Sequence, residues 1–268
     1  MNPPALLGQY ALGECLGKGA YGSVFRGFNT QTGESVAVKR IKLKALSSSD
    51  TERLMDEVSI LRRVRHPNIV CFYNYHLDAR YLHIFLEYCE GSSLEALYRK
   101  FGVMTEPLAT RYIVQILEGL CFIHDRDIIH KDVKASNILT TKDGSIKLAD
   151  FGASSEVNRP DQSTIGSPYW MAPEVIHLQD VDFASDVWSL GCTVLELLQA
   201  KPPYAELTPV QALFRMVNDP HPPFPEGKSK ACEDFLRRCL RQDPKHRSTV
   251  RQLLRHVWLS SARRKVGL

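Results

Sequence analysis

The sequence predicts an α+β fold in which strands come first and helices follow. The first 90 residues consist mainly of strand segments bounded by turn residues, with one amphipathic helix among them. From residue 91 the apolar pattern becomes helical, and DVWSLGCTVLELLQ at 186–199 is apolar nearly all round, as expected of a buried central helix. With 268 residues the chain can bury a core as one large domain or as two lobes.

Five strand segments and one helix are predicted in the first part. The strands are QYALGECLG, GSVFRGFN, ESVAVKRIK, IVCFYNYHL and RYLHIFLEY. The helix SSSDTERLMDEVSILRRV lies between the third and fourth strands, with Leu54, Val58 and Leu61 on one apolar face. These strands form the β-rich part of the predicted fold.

The second part contains several helix and turn signals. Thr105 as N-cap and Pro107 in the first turn predict a helix that runs to residue 125. A hairpin is predicted around Asp143–Gly144. The terminal SSARRKVGL at 260–268 is expected to be a frayed basic end.

Composition and charge exclude several classes of protein. The chain is 44% hydrophobic and 24% charged, which is typical of a globular protein and not of a disordered one. A net charge of +4 suits anionic ligands but is too small to indicate nucleic-acid binding. The seven cysteines are scattered, so we expect reduced thiols and neither disulfides nor a zinc site. Because no signal peptide or membrane-length apolar run occurs, we expect a soluble, cytoplasmic protein without membrane insertion.

A glycine-rich turn and a lysine–glutamate pair are the first chemical signals. Gly17, Gly19 and Gly22 form a G-x-G-x-x-G between two predicted strands, whereas a dinucleotide fold would run it from a strand into a helix. This context favours a hairpin whose backbone covers a triphosphate, with glycine permitting close approach and positive φ angles. Lys39 follows three apolar strand residues, and Glu57 lies on the next helix. An ammonium paired with that carboxylate would bind the α- and β-phosphates of ATP.

The most specific signal is the loop IIHKDVKASNIL at 128–139 together with the later Asp150 in ADFG. Asp132 would orient an attacking hydroxyl or accept its proton, and Lys134 would neutralise charge on the moving phosphoryl group. Asn137 and Asp150 would supply neutral and charged oxygen ligands to Mg²⁺. Each piece alone fits a turn or a cap, but their joint order indicates phosphoryl transfer.

From about Tyr10 to Trp258 the sequence resembles the protein kinases. The landmarks are GKGAYGSV, AVK, Glu57, HKDVKASN, DFG, APE and SDVWSLG. The resemblance implies a kinase domain at 10–259 with the bilobal α+β fold and ATP bound in the cleft between the lobes. The N-lobe would span 10–88, with one regulatory helix, and the mainly helical C-lobe 89–259. Residues 1–9 and 260–268 would be short tails.

The resemblance also implies roles for individual residues. Leu86 would be the gatekeeper, and the backbone of Glu87 and Cys89 would bind adenine. Val24 and Ala37 would cover the adenine ring from above and Leu139 from below. The complete set of implied nucleotide-binding residues is Leu16, Gly17, Gly19, Gly22, Val24, Ala37, Lys39, Glu57, Leu86, Glu87, Cys89, Asn137, Leu139 and Asp150.

Three further roles follow from the same resemblance. Asp186 would anchor the catalytic loop. Glu174 would pair with Arg247. Phe151, His130, Leu61 and Phe72 would form a stacked regulatory spine.

Two features indicate serine/threonine rather than tyrosine specificity. Lys134 follows Asp132 by two residues, where tyrosine kinases typically show an alanine-arginine pattern. In serine/threonine kinases a hydroxyl at the position of Ser167 contacts both residues, although threonine is commoner there. The sequence is similar to the MAP kinase kinase kinase branch, especially to the plant epsilon class and fungal septation-pathway kinases, and Ste20-like kinases fit as well. The implied substrate is a downstream kinase, and an upstream kinase, small GTPase or scaffold would act as regulator.

Lys131 occupies a position at which such loops usually carry arginine. Lysine keeps the positive charge but loses the bidentate fork, so we interpret it as a weakened clamp for a phosphate on the activation segment. Thr164 and Ser163 are the candidate phosphate acceptors. A tolerated swap at the surface is the alternative.

Three classes of function remain open from the sequence: an active kinase, a pseudokinase scaffold that binds ATP without turnover, and a small-molecule phosphotransferase. The presence of Lys39, Glu57, Asp132, Asn137 and Asp150 argues against the pseudokinase. The segment GSPYWMAPE argues against the small-molecule enzyme, since it would seat an extended peptide. The sequence fits both a catalytic fragment and a minimal protein.

Overall fold

Two compact units make up the chain in this computed structural model, residues 1–90 and residues 91–268. The structure describes residues 6–18, 22–43, 48–157 and 167–266, with the backbone alone at 48–53 and 264–266. The predicted α+β class is confirmed, because the first unit holds an antiparallel sheet and the second is mainly helical.

The first unit contains a sheet of six described strands and one helix. The strands are β1 (Leu6–Leu7), β2 (Tyr10–Lys18), β3 (Gly22–Asn29), β4 (Ser35–Lys42), β5 (Phe72–Leu77) and β6 (Tyr81–Glu87). Their order is β1-β2-β3-β4-β6-β5, and every neighbouring pair is antiparallel. Helix α1 (Ser48–Arg63) lies between β4 and β5 in the chain.

Alternation along β4 gives the sheet two different faces. Val36 and Val38 are buried with Tyr10 and Phe85 in one apolar cluster. Ala37 and Lys39 therefore point to the opposite face, since successive side chains of a strand alternate. The predicted nucleotide-binding side chains of β4 thus lie on the face away from this cluster.

Two boundaries in the first unit differ from the prediction. Strand β5 begins at Phe72 rather than at Ile69, because the N–H of Ile69 closes a turn onto the carbonyl of His66 at 3.1 Å. Ile69 and Val70 are buried, so their apolar character reflects burial and not strand structure. In the predicted N-terminal tail, Leu6 and Leu7 form a short strand paired with Tyr10–Ala11.

The second unit consists of eight described helices and four short strands. The helices are α2 (Leu94–Phe101), α3 (Glu106–His124), α4 (Pro173–Ile176), α5 (Phe183–Gln199), α6 (Pro209–Asn218), α7 (Lys230–Cys239), α8 (Val250–Leu254) and α9 (Ser260–Val266). The strands are β7 (Ile128–Ile129), β8 (Ile138–Thr140), β9 (Ile146–Leu148) and β10 (Ser155–Glu156). Strand β8 pairs with β9, and β7 pairs with β10. Gly144 has φ +80° in the predicted hairpin between β8 and β9, a conformation that favours glycine.

The predicted central helix is confirmed, since every residue of α5 from Ser185 to Leu198 is buried. Thr105 precedes α3 as predicted, but its described side chain makes no capping hydrogen bond. The expectation of a frayed C-terminal end is wrong for Ser260–Val266. These residues form α9, where Ala262 is 2% exposed because it packs into the unit.

No helix in the described ranges has the length and apolar character needed to cross a bilayer. No disulfide joins the seven cysteines, all of which lie among the described residues.

Candidate active site

Lys39 and Glu57 form an ion pair in the first unit. Nζ of Lys39 lies 2.7 Å from Oε1 of Glu57, whose side chain is 4% exposed. Strand β4 holds Lys39 between Val24 of β3 and Ile84 of β6. Oε2 of Glu57 has no hydrogen-bond partner among the described residues. A buried carboxylate that contacts the lysine through one oxygen fixes the direction of the ammonium.

Four side chains of the first unit that are predicted to line the nucleotide site share one face of the sheet. Ala37 pairs with Leu86, and Val24 pairs with Lys39. Directly paired residues of antiparallel strands point to the same side, so these four side chains lie together. Each of them is partly buried.

The other predicted nucleotide-contacting residues have different environments. The N–H of Glu87 donates to the carbonyl of Cys71 at 2.8 Å, so an adenine contact at Glu87 would have to use its carbonyl oxygen. Cys89 is buried, and Leu16 is 44% exposed on β2. Leu139 is partly buried on β8 of the second unit, where it pairs with Ser93.

The predicted reason for glycine at positions 17 and 22 is only partly right. Neither residue has a positive φ angle. Gly22 is required by close approach, because a Cβ there would overlap the carbonyl oxygen of Arg40 on β4. Gly17 lies in β2 with open space around its missing Cβ. Gly19 lies outside the described residues.

Asp132, Lys134 and Ser167 form a compact network in the second unit. Nζ of Lys134 lies 2.8 Å from Oδ2 of Asp132, and the Ser167 hydroxyl donates to Oδ1 of Asp132 at 2.9 Å. Lys134 also donates to the Ser167 oxygen, so the three groups form a closed triangle. The hydroxyl at 167 therefore contacts both residues, as the resemblance implied.

Asn137 and Asp150 have the donor atoms expected of metal ligands. The amide nitrogen of Asn137 donates to both the carbonyl and the carboxylate of Asp132, at 2.9 and 2.7 Å. The neutral amide oxygen is the atom of this group suited to a cation, because its N–H donors are engaged. Asp150 is exposed and has φ +61°, an uncommon conformation for a residue other than glycine. Hard oxygen ligands of this kind fit Mg²⁺.

Asp186 anchors the catalytic loop, as expected. It is fully buried on α5 and accepts hydrogen bonds from the backbone N–H groups of His130 and Lys131, each at 2.8 Å. Lys131 has φ +67°, so the loop turns here in a left-handed conformation that these bonds stabilise. The ring of His130 packs edge-on against Phe151 with centroids 4.9 Å apart.

The predicted pair of Glu174 and Arg247 is a bidentate, buried ion pair. The two nitrogen–oxygen distances are 2.5 and 2.6 Å, and the guanidinium lies over the ring of Trp188. This pair fixes the end of the APE segment to the loop before α8. Thr164 and Ser163, the candidate phosphate acceptors, lie outside the described residues.

Glu196 is a buried polar residue that our sequence reasoning did not assign to the site. Its carboxylate accepts hydrogen bonds from the backbone N–H of Ala135, the indole N–H of Trp170 and the hydroxyl of Tyr98. Burial raises the pKa of Glu196 to about 7, although these three hydrogen bonds oppose the shift. The sequence signal is a glutamate inside an otherwise apolar helix.

Comparisons with known proteins agree with this geometry. The protein kinase domain family matches residues 10–259. The chain is 52% identical over 261 residues to "Cytokinesis protein sepH" of Emericella nidulans, which covers 97% of this chain and 19% of that protein. It is 50% identical over 249 residues to "Cell division control protein 7" of Schizosaccharomyces pombe, covering 92% and 23%.

A plant relative is also similar. "MAP3K epsilon protein kinase 1" of Arabidopsis thaliana is 45% identical over 261 residues, covering 96% of this chain and 19% of that protein. The chain thus spans about a fifth of the length of these curated relatives. It belongs to the protein kinase domain family.

Proposed function

We propose that this chain is an ATP-dependent protein kinase that transfers the γ-phosphoryl group of ATP to serine or threonine in a protein substrate. The observation that carries the proposal is the closed triangle of Asp132, Lys134 and Ser167. A hydroxyl held between the catalytic aspartate and lysine is the arrangement that serine/threonine kinases use beside the substrate. The predicted domain at 10–259, with lobes at 10–88 and 89–259, is part of this proposal.

Each group of the network has one task in the transfer. The carboxylate of Asp132 orients the substrate hydroxyl and takes up its proton. The hydroxyl oxygen bonds to the γ-phosphorus while the bond between that phosphorus and the β–γ bridging oxygen breaks, and ADP leaves. The ammonium of Lys134, 2.8 Å from Asp132, neutralises charge that develops on the transferred phosphoryl oxygens. In the first unit, Lys39 holds the α- and β-phosphates because Glu57 fixes its direction.

Asn137 and Asp150 would hold Mg²⁺ through their side-chain oxygens. The metal ion would supply charge neutralisation at the phosphates. Asn137 also donates two hydrogen bonds to Asp132, so it fixes the base while its amide oxygen would remain available to the metal.

We further propose that the substrate is another kinase in a MAP-kinase-type or septation-type cascade, acting in the cytoplasm. The names of the relatives support this placement, since they refer to cytokinesis, cell division control and MAP3K. An upstream kinase, a small GTPase or a scaffold would regulate the enzyme. A Ste20-like role is the second candidate, because the KASNIL segment fits that group too.

Phosphate transfer from Mg-ATP to casein tests the proposed activity. Wild-type protein should label serine and threonine only, and Asp132→Asn should reduce the rate to background. Asp143→Asn is the matched control: this aspartate is exposed in the β8–β9 turn, so its variant should keep wild-type activity. ATP binding without transfer in the wild type would instead establish the pseudokinase scaffold.

Lys131 has a proposed role in regulating the activity. We propose that phosphorylated Thr164 is held by Lys131 as a single point charge, which makes activity partly dependent on phosphorylation. Phosphatase-treated protein should be several-fold slower than protein phosphorylated at Thr164, and Lys131→Gln should remove the difference. Equal rates for the two phosphorylation states of the wild type would contradict this role.

A further inference from the structure

Four polar side chains form one stripe along the buried helix α5. They are Asp186, Ser189, Thr193 and Glu196, all buried. Their spacing of three, four and three residues places them on a single face of the helix. A polar stripe on a helix that is otherwise apolar and buried must satisfy its hydrogen bonds within the protein.

The stripe bonds to two segments of the candidate active site. Thr193 donates to the carbonyl of Val133 in the catalytic loop at 3.2 Å. Ser189 donates to the carbonyl of Trp170 at 2.9 Å, in the segment that follows Ser167. One rigid helix face therefore contacts both the catalytic loop and the substrate-side segment.

Glu196 joins these segments through one carboxylate. Its Oε2 accepts from the backbone N–H of Ala135 and from the indole N–H of Trp170, each at 3.0 Å. Its Oε1 accepts from the Tyr98 hydroxyl of α2 at 2.9 Å. Ala135 follows Lys134 directly, and Trp170 lies three residues after Ser167. One oxygen atom thus connects the backbone next to Lys134 with the side chain of Trp170, in the segment that follows Ser167.

We propose that Glu196 is a positioning residue for phosphoryl transfer, and that its ionised carboxylate holds Lys134 and Ser167 in register beside Asp132. The inference rests on the proposed kinase activity. Glu196 is 1% exposed, so it acts through the two segments that it holds. Ionised carboxylates are stronger hydrogen-bond acceptors than neutral acids, so protonation loosens this connection.

The surroundings of Glu196 make its protonation accessible near neutral pH. Burial raises the pKa of its carboxyl to about 7, and Glu95 of α2 adds to the increase. The Tyr98 hydroxyl has a raised pKa from burial, and so does the Cys192 thiol one turn earlier on α5, so both stay neutral. Lys134 on the catalytic loop is paired with Asp132. Glu196 is therefore the group in this cluster that changes charge between pH 6 and pH 8.

The test is kcat as a function of pH at saturating Mg-ATP and peptide. Wild-type kcat should rise about fivefold between pH 6 and pH 8 as Glu196 ionises, the factor expected from strengthening one or two hydrogen bonds. Glu196→Gln imitates the protonated acid, so its kcat at pH 8 should be about fivefold lower and should no longer rise. Its KM for ATP should stay unchanged. A change in kcat caused by protonation of ATP itself would occur in every variant, so it can be distinguished from the change caused by Glu196.

Tyr98→Phe separates positioning from a merely structural role. It removes one donor to the carboxylate and leaves the bonds to Ala135 and Trp170 in place. Because that donor lowers the pKa of Glu196, the rise in kcat should move to higher pH. An unmoved rise in Tyr98→Phe, or a rise in Glu196→Gln equal to that of the wild type, would overturn the proposal.

The indole N–H of Trp170 provides a readout that needs no activity. Its nitrogen-15 NMR signal should shift with a midpoint near pH 7 in the wild type, and the shift should be absent in Glu196→Gln. If the indole signal shifts with a clear midpoint but no phosphate is transferred, the proposed kinase activity is wrong and the hydrogen-bond connection stands. If phosphate is transferred but the indole signal shows no midpoint, only the proposed role of Glu196 is wrong.

Discussion

The two ends of helix α5 carry buried carboxylates with opposite ionisation behaviour. Asp186 near the N-terminal end and Glu196 near the C-terminal end are 0% and 1% exposed, and both accept hydrogen bonds from the catalytic loop. Burial alone would raise both pKa values. The pKa of Asp186 nevertheless lies below its ordinary value, whereas the pKa of Glu196 is raised to about 7.

The partners explain the difference. Nε2 of His124 lies 2.8 Å from Asp186, and this hydrogen bond and the charge of the ring, with the N–H of His130, outweigh the effect of burial. Glu196 has neutral donors only, from Tyr98, Trp170 and Ala135. Two carboxylates that are equally buried and accept similar numbers of hydrogen bonds can therefore have different pKa values. The ring of His124, which can become cationic, accounts for the lower pKa of Asp186. Asp186 is therefore ionised at neutral pH, whereas Glu196 can titrate there.

The largest effect is expected at the end of α5 that carries Asp186. Asp186→Asn replaces one acceptor oxygen by an N–H donor, so a buried backbone N–H of His130 or Lys131 loses its partner. We expect kcat to fall about a hundredfold or more, which corresponds to roughly 3 kcal/mol. Phosphate transfer by the folded variant measures this.

A matched control lies on the same helix. Asp182 caps the start of α5 through the N–H of Ala184, and asparagine caps as well as aspartate. Asp182→Asn should therefore keep its rate within about twofold of the wild type. An Asp186→Asn rate as high as that of the control would show that the two ends of α5 do not differ as described.

Thermal unfolding at two pH values sharpens the comparison at the titrating end. A carboxyl whose folded pKa is raised binds its proton more tightly in the folded state, so stability falls as pH rises from the unfolded value of 4.5 through about 7. The Glu196→Gln variant has no carboxyl at this position, so it does not lose stability in this way as pH rises. Its stability relative to the wild type should thus increase from pH 5 to pH 8, by at most about 3 kcal/mol.

The matching control is Glu206→Gln, at an exposed glutamate near Lys201. Its stability relative to the wild type should not depend on pH over this range. If Glu196→Gln behaves in the same way, Glu196 does not retain its proton in the folded protein.

The smallest effect is expected from His124→Gln. This substitution removes the ring beside Asp186, so that Asp186, like Glu196, has neutral hydrogen-bond donors only. A carboxyl with a lowered pKa stabilises the fold above its unfolded pKa and loses that contribution as pH falls through the folded pKa. Without the ring, the pKa of Asp186 rises, so stability above pH 4 should drop by about 1 kcal/mol. The midpoint of acid unfolding should move to higher pH.

His246→Gln tests whether any histidine–aspartate contact has this effect. His246 pairs with Asp243 at 3.0 Å, but both side chains are exposed. We expect no shift of the acid midpoint, because solvent screens such a pair. A shift as large as that of His124→Gln would mean that burial is not the deciding factor.

The sequence predicted those site residues whose role follows from local spacing. Asp132, Lys134 and Asn137 lie within six residues of one another, and the structure brings their side chains together as the motif implies. Such features depend on neighbours in the chain, which a sequence displays directly.

Glu196 was missed because its role depends on distant residues. Its donors Ala135 and Tyr98 lie 61 and 98 residues away in the chain, and no local pattern connects them. The same limit explains α9, whose Ala262 is buried by tertiary packing although the segment is basic and short. A charged residue inside an apolar helix is the useful signal, since burial then demands partners.

The most direct measurement is a carbon-13 NMR titration of the side-chain carboxyl groups in glutamate-labelled protein. One signal should titrate with a midpoint near pH 7, and that signal should be missing from Glu196→Gln. If the signal lost in Glu196→Gln instead titrates near the ordinary value for glutamate, about 4.3, the two ends of α5 are equally ionised and the account is contradicted.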